Sequence, residues 1–183
     1  MLQHLKQKHD TKKTMSETPQ KDEIPQVTAR TVPLTIHAQY IKDFSFENPH
    51  APQSLLPGQA IPAMDVSVTL DAKKVPDEKN QNTVYEIILH IEAKATRGTQ
   101  VVFLTHLDYA TVASVNKEVP ERHHHPLLMV EVPKLAFPFA RQVLADVTSQ
   151  AGYPPLLLNP VDFEGMYRDQ FLAQAKTANK QAV

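Results

Sequence analysis

The feature that most constrains the fold is a pair of long segments in which apolar side chains recur at every second position. The first covers residues 83–95 and the second covers residues 100–110, with Thr96-Arg-Gly-Thr99 between them. A period of two is typical of a strand that buries one face, and a glycine between two such strands is typical of a hairpin turn. The sequence therefore predicts a long β-hairpin. Its apolar face comprises Tyr85, Ile87, Leu89, Ile91, Val101, Phe103, Thr105, Leu107 and Tyr109.

Two further strands are predicted beside this hairpin. Apolar and polar residues alternate from Met64 to Leu70, which indicates a strand with one apolar face. The short segment Thr111–Val115 is predicted to be a fourth strand. Together these segments predict one antiparallel sheet.

The period changes to that of a helix after Pro133. Apolar residues then recur three or four positions apart until Gly152, which is a typical helix stop. Asn159 is predicted to cap a second helix, with Pro160 in its first turn. Strands followed by helices predict an α+β fold. The predicted apolar stripes are Phe139, Val143, Leu144 and Val147 in the first helix, and Phe163, Met166, Tyr167 and Phe171 in the second.

Polar tails are predicted on both sides of a single domain. Residues 1–33 are polar and have no apolar period, so they are predicted to be disordered, and residues 173–183 are predicted to be a flexible tail. Residues 34–172 are the predicted domain. The formal net charge of the 183-residue chain is -1, so neither nucleic acid nor an anionic membrane is a predicted partner. With no signal-peptide core and no apolar run of bilayer length, a cytoplasmic location is expected.

Candidate catalytic and metal-binding groups are few. The chain has no cysteine, and its four glycines are too widely spaced for a phosphate-binding loop. His123, His124 and His125 are possible metal ligands, but three consecutive side chains point in different directions. A metal-dependent enzyme that uses His123–His125 therefore stays a less favoured alternative. The sequence predicts a protein with no catalytic residue, no metal ligands and no cofactor.

The apolar faces exceed what the two predicted helices can cover. One strand face extends over the segment that begins at Met64, and a second apolar stripe extends along the last helix. Exposed apolar faces of this kind mark sites of interaction. The two natural occupants are another copy of the chain and a client polypeptide.

Several motifs, in order along the chain, resemble those of the SecB protein-export chaperone family. The first is Gln39-Tyr-Ile-Lys-Asp-Phe-Ser-Phe-Glu-Asn-Pro49, which resembles the start of the family pattern. The others are Val84-Tyr-Glu86, Phe103-Leu104, Pro133-Lys-Leu-Ala-Phe-Pro-Phe-Ala-Arg141 and Pro154-Pro-Leu-Leu-Leu-Asn-Pro-Val-Asp-Phe163. Because the motifs are spread from about Thr35 to Phe171, the resemblance is far more specific than one short match.

The resemblance implies a four-stranded antiparallel sheet with helices packed on one side, assembled as a dimer of dimers. It also implies a function. A protein of this family is a holdase that binds unfolded precursor polypeptides in the cytoplasm without ATP, keeps them competent for translocation and delivers them to the SecA motor. The implied partners are therefore precursor polypeptides, SecA and the other chains of a homotetramer.

The resemblance further implies roles for individual residues. Client contact is expected at Val66, Val68, Leu70, Leu156, Leu158, Met166, Tyr167 and Phe171. SecA docking is expected at Asp43, Glu47, Leu104 and Asp108. Control of oligomer assembly is expected at Phe103, Thr105, Leu107 and Tyr109.

Some features depart from the family pattern or leave alternatives. His106 stands where the family often has an acidic residue, and Asp108, on the same strand face, is expected to supply the charge instead. Residues 126–132 alternate as in a strand, whereas the resemblance predicts a helix that continues into Pro133. A SecB-like chaperone dedicated to one partner, such as an antitoxin, is an alternative to a general export chaperone.

Overall fold

A four-stranded antiparallel sheet forms the centre of the fold. The computed structural model describes residues 33–76 and 83–170, so Phe171 and the tails at residues 1–32 and 173–183 lie outside the described residues. The strands are β1 (Leu34–Glu47), β2 (Ala63–Val75), β3 (Val84–Arg97) and β4 (Gln100–Val115). Their order in the sheet is β1-β4-β3-β2, and each neighbouring pair is antiparallel. The predicted sheet is confirmed.

The predicted hairpin is β3 and β4. Arg97 pairs with Gln100, which leaves a turn of Gly98 and Thr99. Gly98 has a φ of 59°, a left-handed conformation that glycine adopts without the clash of a Cβ atom. The turn chemistry therefore matches the geometry that joins the two strands.

The fourth strand differs from the prediction. Thr111–Val115 continues β4 without a break, and β1 supplies the remaining strand of the sheet. The pairing of β1 with β4 shifts register between Ile36 and Ala38 and again between Ile41 and Asp43. Each bulge moves the following side chains to the opposite face, so β1 shows no sustained period of two in its sequence.

The helices follow the strands. A helical segment begins with a 3-10 turn at Glu121–His123, continues through α1 (His124–Pro126) and a π turn (Leu127–Glu131), and leads into α2 (Val132–Gln150). The predicted helix over residues 126–132 is thus confirmed. The last helix, α3, is described over residues 163–170.

The start of α3 lies later than predicted. Asp162 Oδ1 accepts a hydrogen bond from the backbone N–H of Gly165 at 2.9 Å, so Asp162 is the capping residue. Asn159 and Pro160 lie in the extended connector that precedes the helix. Both types of residue are common at helix starts, which explains why the sequence placed the cap three positions too early.

The helices cover one face of the sheet. The main core contains Leu89 and Ile91 from β3, Leu107 and Tyr109 from β4, and Phe163 from α3. Residues Ala136, Phe137, Ala140 and Leu144 of α2 pack on it. Small side chains on this side of α2 allow close approach to the sheet, whereas the predicted stripe residue Phe139 is 55% exposed. None of the helices in the described part of the chain is long and apolar enough to span a membrane.

Candidate functional site

An apolar groove lies between two connecting segments, next to the β3–β4 turn. Residues 48–62 connect β1 to β2, and residues 151–162 connect α2 to α3. The space between these connectors has a volume of about 410 Å³. Its apolar lining includes Leu55, Leu56, Ile61, Met64, Tyr153, Pro154, Pro155, Leu156 and Leu157.

Hydrogen bonds hold the two connectors together. The Tyr153 hydroxyl lies 2.8 Å from Ser54 Oγ and donates to Asn48 Oδ1 at 2.8 Å. Arg97 at the end of β3 donates to the backbone oxygens of Ser54 at 3.0 Å and Ala60 at 2.6 Å. The bonds of Tyr153 and the bond to the Ser54 oxygen are partly or fully buried, so each of them satisfies a group that would otherwise lose its water contacts. The groove is therefore built on a fixed frame.

Aromatic rings form the base of this frame. The ring centroids of Phe46 and Phe103 are 5.5 Å apart, and those of Phe103 and Tyr153 are 5.1 Å apart. Gly152 has a φ of 88°, and a Cβ atom there would lie 3.2 Å from a methyl carbon of Leu55. A glycine is thus required both by the backbone conformation and by the close approach of the two connectors.

The rim of the groove exposes large apolar side chains. Ile61 is 95% exposed and Leu157 is 58% exposed, and Leu55, Leu56 and Met64 are also exposed. Such a patch marks a site that binds an apolar ligand or segment. The sequence reasoning missed Leu55, Leu56 and Ile61. The signal that could have found them is apolar residues in a proline- and glycine-containing loop, where a buried core is not expected.

The residues predicted for client contact lie in different environments. Val66 is exposed on β2, two positions from Met64 of the groove, while Val68, Leu70, Leu156, Met166 and Tyr167 are partly buried against the main core. Of these, Leu156 lines the groove. Phe171 lies outside the described residues.

Leu158 lies in the core. Its side chain is 8% exposed and belongs to the main core, and its backbone oxygen accepts a hydrogen bond from Arg141 Nε at 2.8 Å. Its role in client contact stays a prediction. The neighbouring Leu157 lines the groove and is 58% exposed.

The other face of the sheet, here called the outer face, carries the residues predicted for SecA docking. Asp43 pairs with Asp108 across β1 and β4, and Glu47 pairs with Leu104. The register therefore brings all four onto one surface, as the prediction of a shared strand face for Asp43 and Glu47 requires. Their role in docking stays a prediction.

A shallow depression of about 370 Å³ adds further acidic residues to the outer face. It is lined by Glu47 and Leu104 together with Asp65 of β2 and Glu92 of β3. The sequence reasoning did not include Asp65 or Glu92. Their contribution depends on strand order, which places β2 and β3 beside β4 and which the local sequence does not reveal.

Asp108 does not present a free carboxylate on this surface. Its Oδ1 lies 2.6 Å from His90 Nδ1 and 2.9 Å from His106 Nε2. A docking partner would therefore meet a carboxylate of which one oxygen already contacts two imidazoles, and the role of Asp108 in place of an acidic residue at position 106 stays a prediction. Asp43 and Glu47 are exposed by comparison.

The residues predicted to control assembly face the helices. Phe103, Thr105, Leu107 and Tyr109 are each less than one-tenth exposed, and burial raises the pKa of the Tyr109 hydroxyl. Thr105 Oγ1 donates a hydrogen bond to the backbone oxygen of Ser45 at 3.0 Å. These side chains therefore contribute to the core of the single chain, and their control of assembly, through the helices packed over them, stays a prediction.

The histidine cluster does not converge on one point. His123 Nε2 accepts from Arg122 Nε at 3.1 Å, His124 Nε2 lies 2.8 Å from the Val119 oxygen, and His125 Nδ1 lies 3.1 Å from the Tyr167 hydroxyl. Three different partners hold three rings apart. This geometry gives no support to a metal-dependent enzyme built on His123–His125.

Comparison with known proteins places these features in a family. A family model described as preprotein translocase subunit SecB matches residues 27–174. The protein-export protein SecB of Rhodospirillum centenum is 42% identical over 147 residues, which are 80% of this chain and 84% of the relative. The protein-export protein SecB of a Rhodopseudomonas palustris strain is 47% identical over 135 residues, with coverage of 74% and 82%.

A solved structure shows the same fold. It is a SecB-like chaperone of Mycobacterium tuberculosis in complex with a ChAD peptide from an antitoxin, and it matches with a TM-score of 0.53 at 17% identity. The match covers 70% of this chain and 90% of that chain. The sequence matches, which are much closer, settle the relationship: the chain belongs to the SecB family.

Proposed function

We propose that this chain is a holdase for protein export, which binds non-native segments of precursor polypeptides in the groove and delivers them to the SecA motor. The observation that carries the proposal is the apolar groove of about 410 Å³ between the two connectors, with Ile61 and Leu157 exposed at its rim. A holdase needs an apolar surface that accepts many sequences, and aliphatic, methionine and proline side chains on connectors provide one. The role requires binding without catalysis, in the cytoplasm where precursors are made.

The edge of the sheet supports binding of an extended polypeptide. Among the described residues, β2 pairs with β3 alone, so one side of β2 has backbone N–H and C=O groups without a strand partner. Met64, at the start of β2, lines the groove, and Val66 follows on the same strand face. An extended client segment can therefore place apolar side chains in the groove and pair its backbone with this edge.

Glutamate substitutions in the groove test the proposal. Ile61→Glu combined with Leu157→Glu places two charges where an apolar client segment would be desolvated, which opposes binding. We expect the purified wild-type chain to delay the refolding of a denatured, slowly folding precursor in a stoichiometric complex, and the variant to lose at least tenfold in affinity. Fluorescence of the refolding precursor and size-exclusion chromatography measure both.

The matched control is Thr35→Glu combined with Ala38→Glu, which adds the same charges at exposed positions of β1, at the opposite edge of the sheet from β2 and the groove. This variant should hold the precursor as the wild type does. The proposal fails if the precursor refolds at its unassisted rate in the presence of the wild-type chain. An equal loss of precursor affinity in both variants would show that the added net charge causes the effect, and that the groove is not the binding site.

SecA docking on the outer face is the second part of the proposal. Asp43 and Glu47 are exposed on β1, and Glu47 also lines the depression that contains Asp65 and Glu92. Carboxylates clustered beside one apolar side chain, Leu104, suit a basic segment that also carries an apolar anchor. Reversal of both charges with Asp43→Lys and Glu47→Lys should weaken SecA binding at least tenfold. The binding that remains should depend less on salt concentration than that of the wild type.

Calorimetric titration of SecA into each variant measures this effect. Precursor holding by the double-lysine variant should equal that of the wild type, because neither residue lines the groove. Unchanged SecA affinity would place the docking surface elsewhere. A fall in both activities would indicate a general loss of structure, which circular dichroism detects.

Isolation of native clients separates general export from a dedicated partner. The curated relatives carry the name of protein-export proteins, which favours the general role, while the solved structural neighbour was captured with a peptide from an antitoxin. Many co-purified precursors would support general export. A single dominant partner would support the dedicated form of the same holding activity.

A further inference from the structure

A group of side chains on the outer face has the composition of a metal site. The potential ligand atoms of His90, His106 and Asp108 all lie within 4.8 Å of one another. The strand register places them there: His90 pairs with Asp108 across β3 and β4, and His106 lies two positions before Asp108 on the same face of β4. The arrangement is thus set by the backbone of the two central strands and is not a chance approach of loops.

We propose that His90, His106 and Asp108 bind a divalent transition-metal ion of the Zn²⁺ class. Two imidazoles and one carboxylate are the donor types that such ions prefer, and a site with three protein ligands leaves the remaining position to water. The ligand atoms are His90 Nδ1, His106 Nε2 and one carboxylate oxygen of Asp108. The inference does not rest on the proposed chaperone function, since it concerns metal binding by the chain itself.

The distances allow an ion to take the place of the hydrogen bonds that Asp108 now shares with the two histidines. Asp108 Oδ1 lies 2.6 Å from His90 Nδ1 and 2.9 Å from His106 Nε2, so both nitrogens already point to one place. In a tetrahedral zinc site the ligand atoms are about 3.3 Å apart. Opening these two separations to that value, by about 0.7 and 0.4 Å, needs only side-chain rotations. The side chains of His90 and His106 are 30% and 31% exposed, which leaves room for the rotation and a path from solvent.

The surrounding charges favour a cation and orient one ligand. Glu92 Oε1 lies 3.6 Å from His106 Nδ1, the nitrogen that does not face Asp108. A carboxylate on that side favours the proton on Nδ1 and leaves the Nε2 lone pair for the metal. On the other side of Asp108, Asp43 of β1 is its cross-strand partner and adds a second negative charge. In this tautomer His106 directs its Nε2 lone pair to the place that the ion would occupy.

Titration with Zn²⁺ tests the site. Isothermal titration calorimetry on the untagged full-length chain should show one zinc ion bound per chain, and Mg²⁺ or Ca²⁺, which prefer all-oxygen sites, should give no binding at the same concentrations. His106→Ala and Asp108→Asn should each weaken Zn²⁺ binding at least tenfold. Co²⁺ in place of Zn²⁺ should give visible absorption bands that disappear in the same variants.

The matched control replaces the other histidine cluster. The triple variant His123→Ala, His124→Ala, His125→Ala should keep the wild-type stoichiometry and affinity. Loss of Zn²⁺ binding in the triple variant, or its retention in His106→Ala, would overturn the proposal, as would the absence of Zn²⁺ binding by the wild type up to millimolar concentration. If Asp108→Asn changes the circular dichroism spectrum, Glu92→Gln is the further comparison. We expect Glu92→Gln to weaken Zn²⁺ binding, but less than His106→Ala does. Unchanged Zn²⁺ binding in Glu92→Gln would contradict the proposed orientation of His106.

Discussion

Tyr153 shows how much of the groove depends on one residue. Its ring packs at a tilt against that of Phe103, and its hydroxyl bonds to both Ser54 and Asn48, so it joins the two connectors at once. Tyr153→Phe keeps the ring and removes the hydroxyl. Because two partly buried partners lose a hydrogen bond, we expect the free energy of unfolding to fall by about 1 to 2 kcal/mol. Urea unfolding followed by circular dichroism measures the change.

A double-mutant cycle with Ser54→Ala tests this explanation. If the hydroxyl acts through Ser54, the two substitutions together should cost less than the sum of the single effects. Full additivity would show that the two side chains stabilise the groove independently. Tyr153→Phe should also hold precursor less well, because the frame of the groove would be looser although its apolar lining is unchanged.

At the scale of the secondary-structure elements, Glu86 connects β3 to β1 across the intervening strand β4. Lys42 Nζ lies 2.5 Å from Glu86 Oε2, and the Tyr40 hydroxyl donates to the other carboxylate oxygen. The hydrogen bond from Lys42, followed by that from Tyr40, lowers the pKa of Glu86 from its usual 4.5. The hydrogen bond that Tyr40 donates to Glu86 raises the pKa of the Tyr40 hydroxyl from its usual 10.0.

The lowered pKa predicts an acid-sensitive contribution to stability. A carboxyl whose pKa is lower in the folded state stabilises the fold fully above its unfolded pKa, and this contribution disappears as the pH falls through the folded value. The free energy by which the wild type exceeds Glu86→Gln should therefore be largest above pH 5 and shrink below about 4.5. Chemical unfolding at a series of pH values checks this. Lys42→Gln should reduce the acid sensitivity in the same way, and a constant difference across the series would contradict the assignment.

The elements also show what the sequence could and could not predict. Local signals sufficed for β3, for β4 as far as Ala110 and for their turn, because alternation and Gly98 act over neighbouring residues. The bulged β1 and the core face of α2, which uses Ala136 and Ala140, did not follow simple periods. The groove and the group formed by His90, His106 and Asp108 combine residues distant in sequence. Strand order and register bring them together, and neither can be read from a local pattern.

At the scale of the whole molecule, α2 exposes apolar side chains that the described part of the chain does not cover. Leu135 and Phe139 are one helical turn apart, more than half exposed, and line neither the groove nor the outer-face depression. A second copy of the chain is the occupant that the expected dimer of dimers supplies. Light scattering should therefore give about four times the chain mass of 20.6 kDa.

Charged substitutions on α2 should break this assembly. Leu135→Lys combined with Phe139→Lys places two like charges per chain in an apolar contact, and the cost of burying them favours smaller species. The groove variant Ile61→Glu with Leu157→Glu makes two equally drastic changes elsewhere and should remain tetrameric. A wild-type mass of one chain would refute the predicted assembly. An unchanged mass in the lysine variant would show that the contact between copies does not involve this face of α2. The buried β4 residues beneath that helix could then not influence assembly through it.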